Sequence, residues 1–293
     1  MQQVEVQSLQ RFHPDYFLQR FTSESLSFQP GQFVMVKPSG LFDPFLPRAY
    51  SILRVRRESN RKGGHMVEIF YKLMGKGSRA LSRLKPGDRV DLLGPLGNGY
   101  HVPPSLTTAL LVAGGIGVPP VVALAEMLAR SQFTLRGSQQ GKTNRRSSDK
   151  GRRKVVAFVG GKTSDDVLCL TDLRKARAKV HVATEDGSVG HRGLVVDLLE
   201  AHLKTQTSRQ GLIIYACGPH AMLHAVAQIA DRFQIPCQVS LEASMACGFG
   251  ACMGCVIPVK QSVKEQLAAR QSTISYKLCC KDGPAFDARE IAW

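Results

Sequence analysis

No aromatic residue stands anywhere in the most basic stretch of this chain, residues 136–154. That stretch holds Arg136, Lys142, Arg145, Arg146, Lys150, Arg152, Arg153 and Lys154 against Asp149, and so carries +7 of a formal net charge of +16. Proteins that grip single-stranded nucleic acid interleave stacking rings with their cations. The stretch is therefore read as a charged surface loop, and nucleic acid is not expected as a partner. An apolar leader is missing as well. Met1–Gln10 has no apolar core segment, and Arg11-Phe-His-Pro-Asp15 reads as surface chain, so no signal peptide is expected and the cytoplasm is the expected location. Nor is there an unbroken apolar span. The longest uncharged stretch, Val102–Ala125, has the length of a membrane helix, but Gly114, Gly115, Gly117, Pro119 and Pro120 interrupt it. A buried strand, a loop and a helix account for it, and no membrane is expected.

What is present is ordinary globular composition, with 43% hydrophobic and 21% charged residues. This excludes wholesale disorder, collagen and coiled coil, and a length of 293 residues points to two or three modules. Residues 1–101 read as short β segments with frequent turns, among them Gln32–Lys37, Met66–Lys72 and Asp88–Leu93. They predict a small antiparallel barrel or sandwich, interrupted by a short helix at Ser78–Leu84. From residue 102 to 236 the pattern changes. The apolar runs Ala109–Ala113, Val155–Val159, Val180–Ala183 and Leu212–Ala216 alternate with helical stretches at Val121–Leu128, Asp165–Ala178, Gly193–Ala201 and Ala221–Phe233. This is the grammar of a parallel-sheet α/β nucleotide domain. Residues 237–293 form a cysteine-rich third region with little room for a core of its own.

Eight cysteines without an export signal do not suggest a disulfide framework, and clustered thiols in such a chain are more often metal ligands. Cys247-Gly-Phe-Gly-Ala-Cys252-Met-Gly-Cys255 has the C-x4-C-x2-C spacing of a plant-type [2Fe–2S] site, which needs a distant fourth thiolate. Gly248, Gly250 and Gly254 let the loop wrap an inorganic core with its amides turned toward the sulfurs. Zinc sites prefer paired C-x2-C knuckles instead. The fourth thiolate is Cys279 or Cys280, and spacing does not choose between neighbours. Cys169 and Cys237 read as plain buried thiols.

Four further motifs carry chemistry. In Arg48-Ala-Tyr50-Ser51 a cation, a ring and a hydroxyl on extended chain suit a flat, phosphorylated ligand. Gly75-Lys-Gly77-Ser78 leads into a helix, either as an anion site or as a simple turn with an N-cap. Gly114-Gly115-Ile116-Gly117-Val118-Pro119 and Cys217-Gly218-Pro219 each follow a buried strand and precede a helix, where a nucleotide lies over strand ends. The first is not the G-x-G-x-x-G fingerprint. The acidic pair Glu185-Asp186 could face a ribose hydroxyl.

In this order, and with Gly94-Pro-Leu-Gly-Asn-Gly-Tyr100 between them, the motifs resemble the ferredoxin–NAD(P)+ reductase superfamily. Ser240–Cys255 and Cys280-Lys-Asp-Gly-Pro-Ala-Phe286 look like the electron-transfer subunit of class B dihydroorotate dehydrogenase. The resemblance implies FAD at Arg48, Ala49, Tyr50, Ser51, the strand Phe70-Tyr71-Lys72, and Gly77-Ser78. It implies NAD as electron acceptor bordered by Gly114, Gly115, Gly117, Cys217, Gly218 and Pro219. It also implies a [2Fe–2S] cluster on Cys247, Cys252, Cys255 and Cys280. The implied role is electron transfer from a partner subunit that oxidises dihydroorotate at FMN, in a heterotetramer of pyrimidine biosynthesis, with no catalytic residue for that oxidation in this chain. A related flavin and iron–sulfur subunit, of the hydrogenase, sulfur reductase or NADH:ferredoxin type, is the alternative. The long basic loop 136–154 and the stretch Val263–Gln271 depart from the family pattern.

Overall fold

A computed structural model of the chain describes residues 1–23, 26–57, 64–137, 153–261 and 274–293, with side chains other than those of 131–137. Most of the basic loop and the whole Val263–Gln271 stretch lie outside the described residues. Two compact units result: Met1–Tyr100 together with Ser240–Trp293, and His101–Val239.

In the first unit six strands close an antiparallel barrel. They are β1 (Gln2–His13), β2 (Tyr16–Ser23), β3 (Phe33–Pro38), β4 (Arg48–Arg57), β5 (His65–Lys72) and β6 (Arg89–Leu96), in the order β1-β2-β5-β4-β3-β6. Alternate residues fill the barrel, among them Val4, Val6, Phe17, Phe21, Val34, Val36, Ile52, Val67, Ile69, Val90 and Leu92. The amino-terminal strand β1 is part of this barrel, and Arg11–Asp15, read as surface chain, is exposed apart from the half-buried His13. Val4 and Val6 are buried by the period-2 pattern of β1, although polar neighbours mask that pattern in the sequence. The buried Gln19 is satisfied inside the barrel, since its Nε2 donates to the Leu81 carbonyl at 3.4 Å and its Oε1 accepts from the Tyr71 hydroxyl at 3.2 Å. Helix α1 (Lys76–Leu81) lies between β5 and β6.

The same unit takes up the chain again at Ser240. An antiparallel hairpin of β13 (Val256–Lys260) and β14 (Ile274–Leu278) follows the cysteine loop, and then come a single turn, α6 (Cys279–Asp282), and β15 (Ala285–Asp287).

The second unit holds β7 (Thr108–Gly114), α2 (Val118–Gly137), β8 (Lys154–Gly161), α3 (Leu170–Lys175), β9 (Lys179–Thr184), β10 (His191–Arg192), α4 (Val195–Lys204), β11 (Leu212–Cys217), α5 (His220–Arg232) and β12 (Cys237–Ser240). Its sheet runs β10-β9-β8-β7-β11-β12, with β7 parallel to both β8 and β11. The strand order therefore reverses beside β7, which is where such sheets open a ligand crevice. All six residues of β11 are buried, as a strand covered on both faces requires. The helix expected over Asp165–Ala178 is instead a 3-10 turn at Ser164–Asp166 and the shorter α3, because Cys169 adopts a left-handed conformation with φ 57°. No helix among the described residues is long and apolar enough to cross a membrane.

Two histidines sit under α4. His181 of β9 lies parallel to the buried Phe158 ring at 5.3 Å, His202 of α4 meets the same ring edge-on at 5.4 Å, and the two imidazoles are 6.2 Å apart. Burial, then the Lys179 charge, lowers the pKa of His181; burial, then His181 and Lys179, lowers that of His202. The folded chain thus keeps both rings neutral at a pH where the unfolded chain has begun to protonate them. Their contribution is fully present above the ordinary histidine range and is lost as pH falls through it. The unfolding temperature should therefore be lower at about pH 5.5 than at about pH 7.5, and His202→Leu should remove part of that difference. An equal difference in the variant would exclude the pair as its source.

Candidate functional site

The first unit carries two neighbouring sites. On β4, Arg48, Ala49, Tyr50 and Ser51 pair with Val36, Met35, Val34 and Phe33 of β3. The Tyr50 ring is 5.3 Å from that of Tyr71 on β5, and burial raises the pKa of both phenols; Arg48 opposes this at Tyr50, and Tyr50 adds to it at Tyr71. Both therefore stay neutral, offering a flat face and a hydroxyl. Across β5 the pleat sends Phe70 and Lys72 the other way. Phe70 stacks with Tyr16 at 6.2 Å, and the Lys72 ammonium lies 4.9 Å over the Tyr16 ring. The structure thus gathers the side chains of Tyr50 and Tyr71 but not those of Phe70 and Lys72.

Gly77 joins this group because Arg48 crosses directly over it. A Cβ at Gly77 would stand 2.8 Å from Arg48 Cγ. The Arg48 guanidinium is held at its base by the carbonyls of Leu46 and Pro47, at 2.9 and 3.2 Å. Ser78 builds the turn: its Oγ accepts from the amides of Met74 (2.9 Å) and Gly75 (3.2 Å) and donates to the Gly75 carbonyl (3.1 Å). The first bond of α1 runs from Arg79 N–H to the Gly75 carbonyl, so the amides of Lys76, Gly77 and Ser78 have no acceptor within the helix. A guanidinium, a first helical turn and a neutral ring together fit the phosphate and flat ring of FAD.

The cysteines form the second site, in two pairs. Cys252 N–H donates to Cys247 Sγ at 3.5 Å, and Cys280 N–H donates to Cys255 Sγ at 3.4 Å. Against the upward push of burial, the amides of Cys252, Phe249 and Ala251 bring the Cys247 thiol down to about 6. Gly248 and Gly250, at φ 84° and 89°, give the loop the left-handed turns that aim those amides inward. Gly248 also lies against Met35 of the barrel, with no room for a Cβ. The neighbouring cysteines diverge. Cys279 Sγ donates to the Leu241 carbonyl at 3.5 Å, and burial holds that thiol up at about 12. Burial and then the Cys255 thiol hold Cys280 up at about 12 too, but Cys280 faces the other thiols: Cys255, Cys247 and the Gly250 amide are its neighbours. Two thiol pairs in a nest of amides fit a binuclear iron–sulfide cluster, one pair to each iron.

Asn98, within the Gly94–Tyr100 motif, ties the end of the barrel to the Cys280 segment. Asn98 Nδ2 donates to the carbonyls of Lys281 (3.0 Å) and Asp282 (3.1 Å), and its N–H donates to the Gly283 carbonyl. Asp282 in turn accepts from Leu278 N–H at 2.7 Å and so closes α6. The sequence marks the place with the Gly94–Tyr100 motif but not the distant carbonyls that Asn98 reaches.

In the second unit the two glycine loops meet at the carboxyl ends of β7 and β11, where Ala113 pairs with Cys217. Gly117 lies directly on the Cys217 carbonyl, and a Cβ at Gly114 would stand 2.9 Å from Pro219 Cδ. A Cβ at Gly218, whose φ is 158°, would stand 3.0 Å from Gly114 N. Glycine is needed here for close approach, and a nucleotide can then lie over bare backbone. At the end of β9, Asp186 accepts from Ser188 N–H (2.9 Å) and Oγ (2.7 Å), which lowers its pKa and ties its carboxylate into the loop. Glu185 beside it is exposed as well.

Three family models match in sequence: an oxidoreductase FAD-binding domain over residues 7–100, an oxidoreductase NAD-binding domain over 111–228, and the iron–sulfur cluster binding domain of dihydroorotate dehydrogenase B over 242–292. The electron transfer subunit of dihydroorotate dehydrogenase B (NAD(+)) from Bacillus caldolyticus is 40% identical over 266 residues, 90% of this chain and 86% of that protein. This chain belongs to that family. The family's subunit from Desulforamulus reducens is 32% identical over 90% of this chain and 87% of that protein. Among solved structures, that of an NADH-dependent reduced ferredoxin-NADP oxidoreductase superposes with a TM-score of 0.74 at 24% identity, covering 100% of this chain and 91% of that one. The cytochrome b5 reductase domain of Ulva prolifera nitrate reductase covers 80% of this chain and 93% of that one, with a TM-score of 0.59 at 18% identity. These two share the fold. The chain is thus an oxidoreductase subunit with FAD-, NAD- and iron–sulfur-binding domains, as its family's pattern of motifs implies.

Replacing Asn98 by Ala removes two hydrogen bonds to carbonyls of the Cys280 segment. The expected loss is about 1–2 kcal/mol of stability, with faster release of iron on mild denaturation. Denaturant titration followed at the visible cluster absorbance checks this. Iron release at the wild-type rate would show that Asn98 does not hold the segment.

Proposed function

We propose that this chain is the electron-transfer subunit of an NAD+-linked dihydroorotate dehydrogenase. It would carry electrons from a dihydroorotate-oxidising, FMN-containing subunit through a [2Fe–2S] cluster and FAD to NAD+, in pyrimidine biosynthesis. The observation that carries this reading is the pairing of Cys247 with Cys252 and Cys255 with Cys280 on the same compact unit as the flavin-type barrel. The name shared by the relatives supports the substrate. Residues 1–101 act as the FAD module, 102–236 as the NAD module and 237–293 as the cluster module. The working assembly is a heterotetramer in the cytoplasm.

Bound FAD supplies exchange between a two-electron hydride carrier and a one-electron centre. The chain's own residues bind and orient. Arg48 and the first turn of α1, with Gly77 and Ser78, neutralise the pyrophosphate, while the strand Arg48–Ser51 and the backbone of Phe70–Lys72 border the flavin. Tyr50 lies along its ring. Gly114, Gly115 and Gly117 receive the nucleotide backbone of NAD, and Cys217-Gly218-Pro219 forms the wall beside the nicotinamide. Glu185 disfavours a 2′-phosphate by charge. Cys247, Cys252, Cys255 and Cys280 hold the cluster, and Cys279, whose thiol hydrogen is turned to Leu241, does not.

The test is direct. Mixed with the catalytic subunit of the same organism, this chain should support dihydroorotate-dependent NAD+ reduction, and Cys252→Ser should abolish it while NADH-dependent dye reduction persists. An active flavoprotein with iron and no response to dihydroorotate would overturn the reading in favour of a related reductase subunit. Separately, Cys280→Ser should lose the cluster and its visible spectrum, and Cys279→Ser should keep both. The reverse result would exchange the two cysteines' roles.

A further inference from the structure

Solvated antiparallel sheets turn apolar side chains inward and polar ones outward. On the β13–β14 hairpin the outward positions are apolar as well as the inward positions of β13, whose partners Lys277 and Ser275 supply the polar part of the inner face. Its inner face is filled: Ile257 and Val259 are 8% and 2% exposed, and the carboxyl-terminal chain closes over them through Lys260 N–H to the Glu290 carbonyl and Ala292 N–H to the Pro258 carbonyl. On the outer face Val256 stands opposite Leu278, Pro258 opposite Tyr276 and Lys260 opposite Ile274. Lys260 is the one charged residue among these six. Tyr276 is 71% exposed, Val256 46% and Ile274 42%.

This face runs into the cysteine loop. A Cβ on Gly250 would stand 3.6 Å from Leu278 Cδ1, and Val256 directly follows Cys255. The loop itself exposes Phe249 (57%), Met253 (59%) and the thiol-bearing Cys252 between them. Of the 14 large hydrophobic residues well exposed among the described residues, five belong to this loop and hairpin, four to Leu41–Leu46 and two to the whole of His101–Val239. Such a concentration marks an interaction surface, and tyrosine and methionine are typical of interface centres.

We propose that the outer face of the β13–β14 hairpin, together with Phe249 and Met253, is the surface on which the dihydroorotate-oxidising catalytic subunit docks. The proposal rests on the functional reading above. The occupant follows from the chemistry of the loop. Electrons reach the paired thiols from a separate subunit, and the exposed Cys252 lies within the apolar surface, so the protein that covers the hairpin is the one brought close to the thiols. A second copy of this chain, packed face to face by twofold symmetry, would cover both copies' thiol loops with each other and shut the donor out.

The experiment measures affinity of the cofactor-loaded chain for the purified catalytic subunit, alongside NADH-dependent dye reduction. Tyr276→Glu should weaken association by about 30-fold or more, whereas Tyr276→Phe should keep it. Dye reduction and the cluster spectrum should match wild type, and dihydroorotate-dependent NAD+ reduction should return at high catalytic-subunit concentration. Ile274→Lys tests the same face if the glutamate variant does not fold. Wild-type affinity in a folded charged variant would overturn the docking surface. So would a dimer of the isolated chain, seen by sedimentation, that Tyr276→Glu dissociates. A wild-type chain that does not bind the catalytic subunit at all would instead remove the functional reading on which the proposal rests.

Discussion

Asn98 joins two stretches of chain that the sequence keeps far apart. The barrel ends at Tyr100, the chain leaves to build the whole nucleotide unit, and it returns at Ser240 to resume the body it left. An electron path needs the flavin-type barrel and the thiol loop fixed on one body, because both must keep their separation while other parts of the enzyme engage and release. The bonds from Asn98 to the carbonyls of Lys281, Asp282 and Gly283 supply that fixity one residue beyond Cys280. Gly248 against Met35 supplies it at the other end of the thiol set. The returning segment has too little chain for a core of its own, and it does not need one. It borrows the outside of the barrel.

The nucleotide unit obeys a different constraint. Its chemistry lies in bare backbone at the reversal of strand order, so the informative residues there are those without side chains. Gly114, Gly117 and Gly218 interlock so closely that any of them exchanged for alanine would collide with Cys217, Pro219 or Met222. The loops are thus fitted to each other, and what they present to a ligand is amides and carbonyls. The two units differ accordingly, one carrying the barrel and the thiol loop and the other the glycine loops at the strand ends.

Much of this was legible in the sequence where the signal is local. The spacing of Cys247, Cys252 and Cys255 constrains one loop, and apolar runs such as Leu212–Ala216 announce buried parallel strands within a few residues. The signal failed where the deciding partner is distant or the neighbours conceal it. Cys279 and Cys280 look alike in sequence, and they diverge only because the turn of α6 sends one thiol to Leu241 and the other toward Cys255. Val4 and Val6 are too few to mark a strand among Gln2, Gln3 and Glu5, and β1 exists because β2 and β6 complete it on either side. The bonding role of Asn98 could not be read from the Gly94–Tyr100 motif that contains it, since its acceptors lie more than 180 residues away. The FAD motif was legible as residue types, but the pleat that separates Phe70 from Tyr71 belongs to the fold.

The apolar hairpin has a consequence for the life of the chain before assembly. A newly made copy carries Tyr276, Ile274, Phe249 and Met253 into water, and these are the features by which folded proteins find the wrong neighbours. The formal net charge of +16 opposes this, because like-charged copies repel before their sticky faces meet. High salt, which screens that repulsion and leaves apolar attraction intact, removes the safeguard. A partner that covered the hairpin as proposed would, made in step with this chain, shield it from such encounters.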